Sequence, residues 1–218
     1  YTFSLVIQDL GVTDASPTIS AISNKVKVEV FTAPSISISP NSPTMDVGQS
    51  VNITSTVTGG TGSFTYSWYI NGTQTAVKTP YFIFHPSGKG TYKIWANATD
   101  SGTSNAVPPE TVQSNTATVT VYSAPTAVIL PSSVTMDIGQ SLNISVKVSN
   151  GTGSFSYSWY MNGSPIQNKL GYYDFTPAGP GNYTFNVALN DTGTSTTAYP
   201  SEIFKTGVLI VKVYPKPV

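Results

Sequence analysis

Residues 60–72 read GTGSFTYSWYING, and residues 151–163 read GTGSFSYSWYMNG. The same segment occurs twice, 91 positions apart. Inside it Phe64, Tyr66, Trp68 and Ile70 alternate with Thr65, Ser67 and Tyr69. A period of two with one apolar face is the mark of a half-buried antiparallel strand. Gly-Thr-Gly in front and Asn-Gly behind supply the turns that bound it. The segment therefore reads as a strand, and Trp68 and Trp159 point at whatever core it faces.

The repetition continues outward on both sides. Upstream, TMDVGQSVNITSTV (44–57) falls on TMDIGQSLNISVKV (135–148). There Val51, Ile53 and Val57 alternate with Asn52, Thr54 and Thr56, and the second copy has Leu142, Ile144, Val146 and Val148. Downstream, Tyr92, Ile94, Ala96 and Ala98 share a face, and Val119 and Val121 close the unit. The same offset carries Tyr92, Asp100 and Gly102 forward onto Tyr183, Asp191 and Gly193, and back onto Tyr1, Asp9 and Gly11. Near the end it slips by one, so that Tyr122 meets Tyr214. Repeats fix architecture before any local signal does. The chain divides into a partial unit at 1–32, whole units at 33–123 and 124–214, and the start of a next linker at 215–218. Thr32-Ala33-Pro34, Ser123-Ala124-Pro125 and Pro215-Lys216-Pro217 mark the junctions.

No stretch sustains a 3.6-residue period. Several short strands per 91-residue unit, each with one apolar face, bury those faces as two stacked sheets. The expected fold is all-β: tandem antiparallel sandwiches in a rod. On the VGQSVNIT strand, the YSWYING strand, and the run from Pro86 through Gly90-Thr91-Tyr92 to Ala98-Thr99-Asp100, each unit resembles the PKD/immunoglobulin-like β-sandwiches strung along archaeal surface proteins. The chain departs from the PKD pattern at Trp68-Tyr69-Ile70-Asn71-Gly72, where PKD units carry Trp-Asp-Phe-Gly-Asp-Gly. The resemblance implies a non-enzymatic structural component of the cell exterior: an S-layer stalk, a surface fibre or a thread-like filament. Its implied partners are neighbouring repeats or other copies of itself. Two rival readings are an adhesin or carbohydrate-binding module, and non-catalytic domains of a larger secreted hydrolase.

Composition narrows the chemistry. Charged residues are 9% of the chain, against about a quarter in an ordinary soluble domain. Ten Lys+Arg balance ten Asp+Glu, so there is no basic field to collect nucleic-acid phosphates. Acid unfolding protonates carboxylates that are paired in the native state, and a chain with few of them suits an acidic exterior. There is no Cys, which excludes disulfides, thiolate metal sites and thiol nucleophiles. The single histidine, His85, stands where the second unit has Thr176, which reads as a strand end and not as a catalytic base. No apolar run reaches membrane-spanning length. No catalytic residue, metal site or cofactor other than attached glycans is expected.

Asp46 and Asp137, in Met-Asp-Val/Ile-Gly-Gln, read as a turn whose carboxylate bonds nearby amides. A calcium site with Asp100 or Asp191 is the alternative, disfavoured because calcium needs six to eight oxygens. Asp9, Asp100 and Asp191 open long loops in the manner of Asx turns.

Eight Asn-x-Ser/Thr sequons occur, at Asn52, Asn71, Asn97, Asn143, Asn150, Asn162, Asn182 and Asn190. Roughly four are expected by chance at this Ser and Thr content. Asn52, Asn97, Asn143 and Asn190 fall on outward strand phases and the others in or beside turns, so N-linked glycans are expected. Tyr69, Trp95 and Tyr160 also fall on outward phases and offer a surface for sugars or an adjacent subunit. Residues 1–31 read as the last two strands of a sandwich, with Tyr1, Phe3, Leu5 and Ile7 in one apolar row and Val26, Val28 and Val30 in another. Two such strands do not fold alone. The expectation is completion by a partner segment, from the same polypeptide or by strand donation from another chain; of these, truncation of a longer array is the preferred explanation.

Overall fold

The computed structural model describes residues 1–9, 20–102, 109–200 and 203–216, so Gly11 and Pro217 lie outside the described residues. Among them every regular element is a strand. Residues 1–31 supply β1 (Thr2–Phe3), β2 (Val6–Gln8), β3 (Ser20–Ile22) and β4 (Val26–Lys27). These form two antiparallel ladders, β1 with β4 and β2 with β3.

The next nine strands build one sandwich: β5 (Ser35–Ser39), β6 (Thr44–Asp46), β7 (Ser50–Thr58), β8 (Phe64–Ile70), β9 (Thr73–Gln74), β10 (Tyr81–Phe84), β11 (Gly90–Asp100), β12 (Thr111–Gln113) and β13 (Ala117–Tyr122). One sheet is β5-β7-β10; the other is β6-β13-β11-β8-β9, with β12 added to β11. The second sandwich repeats the plan with β14 (Thr126–Leu130), β15 (Ser133–Asp137), β16 (Leu142–Ser149), β17 (Phe155–Met161), β18 (Ser164–Ile166), β19 (Tyr172–Phe175), β20 (Gly181–Asp191), β21 (Ala198–Tyr199), β22 (Ile203–Lys205) and β23 (Leu209–Tyr214). Its sheets are β14-β16-β19 and β15-β23-β20-β17-β18, with β22 on β20. Only β21 has no counterpart strand among the described residues of the first sandwich; it pairs with β7 instead.

Proline decides where the first strand of each unit changes sheet. β5 stops just before Pro40 and β14 just before Pro131, residues with no N–H to continue a ladder. The chain then crosses over, and β6 and β15 run parallel to β13 and β23. The crossing leaves part of one edge of β7 and β16 without β5 or β14 alongside: β5 reaches only to Thr54, and β14 only to Ser145.

Each sandwich closes over one tryptophan. Trp68 and Trp159 are fully buried, as are Ile53 and Ile94 around the first and Ile144 and Phe185 around the second. The indole nitrogens donate to Thr79 O at 2.9 Å and to Leu170 O at 2.8 Å, so neither buried N–H is left without a partner. The strands over them come from sequence alternation: β11 buries Ile94, Ala96 and Ala98, and β13 buries Ala117, Val119 and Val121. Tyr92 and Tyr183 clamp the start of their strands, their hydroxyls donating to Gly88 O at 2.8 Å and Gly179 O at 3.0 Å, the arrangement known as a tyrosine corner.

Replacing Trp68 or Trp159 with Ala should destabilise the affected sandwich by about 3–5 kcal/mol, the usual cost of deleting a large buried aromatic. Urea unfolding followed by circular dichroism measures it. A loss under about 1 kcal/mol, the level of a surface change, would mean that the tryptophan is not the centre of its core.

Candidate functional site

The N-terminal segment repeats the register of the closing strands of the whole units. Shifted by 91, its pairs Thr2↔Lys27 and Phe3↔Val26 become Lys93↔Thr118 and Ile94↔Ala117, and Val6↔Ile22 becomes Asn97↔Gln113. The side-chain bond inside the hairpin recurs as well. Leu5 N donates to Ser23 Oγ at 2.9 Å, Ala96 N to Ser114 Oγ at 3.0 Å and Val187 N to Thr206 Oγ1 at 3.0 Å. Residues 1–31 are therefore folded in the register of β11, β12 and β13. They form four short strands where two long ones are expected, because that side-chain bond interrupts the ladder. In the whole units the long strand stays continuous, held on its other edge by β8 or β17.

The difference lies in what covers this hairpin. Phe3, Leu5 and Ile7 are 58%, 60% and 60% exposed, while their counterparts Ile94, Ala96 and Ala98 are at 0%. Tyr1 is exposed, and Val26, Val28 and Val30 are exposed where Ala117, Val119 and Val121 are buried. The result is a core-forming apolar face and an open sheet edge on the same element, the two features that invite another strand.

A second feature joins the two whole units. The loop after β20 folds back over the first sandwich. Thr44 N donates to Ser195 Oγ at 2.8 Å, Ser195 N to Thr44 O at 2.8 Å, Thr44 Oγ1 to Gly193 O at 2.9 Å, and Gln49 Nε2 to Pro200 O at 3.0 Å. β21 then pairs with β7, Ala198 opposite Val51 and Tyr199 opposite Ser50. It fills the stretch of edge that β5 left behind, and Ala198 is buried in the first core. At about 1 kcal/mol net per bond, the four loop bonds by themselves would hold separate molecules only at millimolar concentration. A short linker supplies an effective concentration of that order, so the Ser123-Ala124-Pro125 connection makes the contact sustainable.

The Asp-x-Gly pattern of this loop signals an Asx turn but not the contact it makes. The available signal was the recurrence of Gly-Thr-Ser at 102–104 and 193–195 and of Pro at 109 and 200. The Met-Asp-Val/Ile-Gly-Gln segment forms the expected turn, and its glutamine takes part in it. Its closing bond is accepted by the glutamine: Asp46 N donates to Gln49 Oε1 at 2.8 Å and Asp137 N to Gln140 Oε1 at 2.7 Å.

Asp100 and Asp191 do act as turn-closing carboxylates. Asp100 accepts from the Thr61 hydroxyl, from Thr61 N at 2.9 Å and from Gly102 N at 3.1 Å. Asp191 repeats this with Thr152 and Gly193. Gly60, at φ +66°, passes so close that a Cβ there would lie 2.7 Å from Asp100 Oδ2, which is why a glycine opens the loop. Among the described residues no three His, Cys, Asp or Glu side chains gather as a metal site. His85 is an exposed strand end whose Nδ1 meets Ser50 Oγ at 2.9 Å, and Thr176 meets Ser141 in the same way.

The sequon asparagines spread over both units. Asn52, Asn71, Asn143, Asn150, Asn162 and Asn182 are exposed, and Asn97 and Asn190 are half-buried. Asn71 and Asn162 sit at left-handed turns, φ 47° and 50°, with Oδ1 accepting from Lys93 N and Thr184 N at 2.8 Å each. Their carbonyl is thus fixed and their NH₂ left outward. At Asn143 the amide nitrogen instead donates to Asp174 Oδ1 at 2.6 Å. Tyr69 and Trp95 stack on one another, centroids 5.4 Å apart and planes within 5°. Tyr160 lies opposite Asn186, so the ring pair occurs in the first unit alone.

The family comparison agrees with the architecture of the first unit. An immunoglobulin-domain family model matches residues 33–103. Among curated proteins no sequence matches. Similar solved structures include fibronectin(III)-like modules of Clostridium thermocellum CbhA, 21% identical over 82% of this chain and 94% of that one, with a TM-score of 0.41. Sidekick-1 immunoglobulin domains 1–4 are 13% identical, covering 91% and 55%, TM-score 0.48. The N-terminal four Ig domains of Dscam1 isoform 6.9 are 14% identical, covering 90% and 51%, TM-score 0.37. The chain thus spans about half the length of these last two structures. Strand order, sheet pairing and buried tryptophan make the repeat an Ig-like β-sandwich, present in tandem.

The Asp100 clamp has a pH signature. Hydrogen bonds from the Thr61 hydroxyl, then from the amides of Thr61 and Gly102, hold this carboxyl below its ordinary value of 3.8, against the opposing pull of desolvation. A carboxyl lowered on folding stabilises the native state above its unfolded pKa, and the contribution is lost as pH falls through the folded one. Urea midpoints should therefore fall as the pH is taken below 3.8, and Asp100→Asn should flatten part of that fall. Equal slopes for the two proteins would remove Asp100 from the acid response.

Proposed function

We propose that this chain is a non-enzymatic structural component of an extracellular surface assembly, such as an S-layer stalk, fibre or filament. In this reading the units at 33–123 and 124–214 are links of a rod, and 1–32 contributes strands to a further sandwich. The observation that carries it is the N-terminal hairpin. It holds the register of a sandwich's closing strands while leaving core-equivalent side chains in solvent. Such a face gains stability only when strands of another repeat of this type cover it. Partners are accordingly neighbouring repeats or other copies of the chain. N-linked glycans on outward asparagines would shield the rod from acid and proteases. Among the described residues no helix is long and apolar enough to cross a membrane.

Hydrogen exchange on the isolated 218-residue chain tests the hairpin. In a monomer verified by light scattering, Leu5 and Val28 should exchange faster than Ile94 and Val119. Equal protection would show that the hairpin needs no partner. Mass spectrometry of native material tests the glycans, with hexose-containing adducts expected on several of the eight sequon peptides. Asn71 and Asn162 are favoured by their outward NH₂ groups, and modification of Asn143 would break its bond to Asp174. Unmodified peptides at every position would remove the shielding role.

A further inference from the structure

The contact between the two whole units has a receiving side and a giving side, and the second unit carries an empty receiving side. In the first unit it consists of Thr44, Gln49 and the Ser50–Val51 edge of β7, all engaged by the loop after β20. The second unit has the same residues 91 positions on: Thr135, Gln140 and Ser141–Leu142. The local geometry is the same as well. Gln140 Oε1 is held by Asp137 N just as Gln49 Oε1 is held by Asp46 N, which directs the two Nε2 groups alike. Pro131 sends the chain to the other sheet as Pro40 does, and β14 leaves β16 at Ser145.

What differs is occupancy. Gln49 and Val51 are buried at 1% and 0%, while Gln140 is exposed and Leu142 half-buried. On the side away from β19, Leu142 has no strand beside it among the described residues, and Gln140 Nε2 makes no hydrogen bond among them. A short open edge with a half-exposed Leu and an amide aimed outward is a site for a strand.

We infer that Thr135, Gln140 and the Ser141–Leu142 edge receive the loop after the long strand of a further copy of the same repeat, joined in tandem after Tyr214. The occupant follows from the junction already seen. It offers a Ser hydroxyl and backbone carbonyls to Thr and Gln, and an Ala-Tyr-Pro segment to the bare edge. The copy is tethered, as the giving loop is in the junction already seen. Pro217 lies three residues after Tyr214, the spacing of Pro125 from Tyr122. Each added unit would cover the edge of the one before it and present its own. Growth of the array would thus proceed by a repeated interlock that fixes each unit against the last. This stands on the observed junction and needs neither the glycans nor a surface location.

The absence of cysteine makes a direct test clean. The full chain is extended by a second run of residues 126–214 placed after Pro217. Thr135→Cys is combined with Ser195→Cys in the added run and exposed to oxidised glutathione. The reference is Thr44→Cys with Ser195→Cys in the unextended chain, whose side-chain oxygens meet at 3.2 Å. Both pairs should close to the same extent, whereas Ser164→Cys in the added run should not close with Thr135→Cys. A pair that stays reduced while the reference closes, or a Ser164 control that closes equally, overturns the inference. A second measurement needs no extension. In the native chain the Gln49 side-chain amide should exchange about tenfold or more slowly than that of Gln140, as a bonded and buried group does. Equal rates in the native chain would show that the first receiving site is not held closed, and the inference would fail with it.

Discussion

A sheet with one apolar face has to be covered, and nearly everything in this chain follows from how that is done. In the whole units the face of β11 and β13 is closed by the opposite sheet and by a tryptophan from β8 or its equivalent. Burial of apolar area is the dominant favourable contribution to folding, and here it is concentrated on side chains at 0% exposure around Trp68 and Trp159. The N-terminal hairpin presents the same alternation without the cover. The contrast between Ile94 and Phe3, two residues at one structural position, shows that the pattern specifies a face while its burial depends on a partner layer.

Edges pose the second problem. A strand that leaves its sheet strands the backbone groups beside it, and Pro40 forces that departure in the first unit. The protein covers the vacated edge with a segment borrowed from the next unit, so the interior of one sandwich is completed by a loop of its neighbour. Ala198 belongs to the second unit by sequence and to the first by burial. Linkage of this kind differs from a flexible string of domains: the orientation of successive units is set by a backbone ladder and by Thr44 and Gln49, not by the linker alone.

Low charge is consistent with both solutions. The ten acidic side chains of the whole sequence leave few carboxylates to be neutralised in acid, and Asp100, one of those engaged, is supplied with three donors. Thr and Ser do the work that ion pairs do elsewhere, bonding backbone to backbone across turns and across the unit boundary. Neutral hydrogen bonds of that sort are little affected by pH or by salt screening.

The fold could be read from the chain alone because local rules and the repeat agreed. Period-two alternation set each strand's faces, Gly and Asn set the turns, and the 91-residue offset confirmed one copy by another. Trp68 and Trp159 could be placed in their cores on phase alone, whereas the outward phase read for Asn97 and Asn190 corresponds to half-buried residues. Tertiary structure decided what phase cannot express. It showed Gln49 Oε1 accepting from Asp46 N across its turn. It showed Tyr69 and Trp95 stacked on each other. Above all it brought Ser195, Ala198 and Pro200 onto Thr44, Val51 and Gln49, about 150 residues away in sequence. Alternation reports only which side of a strand meets a core. It carries no information about which distant segment will satisfy an edge, because that depends on where Pro40 sends the chain and on how far the next unit's loop can reach.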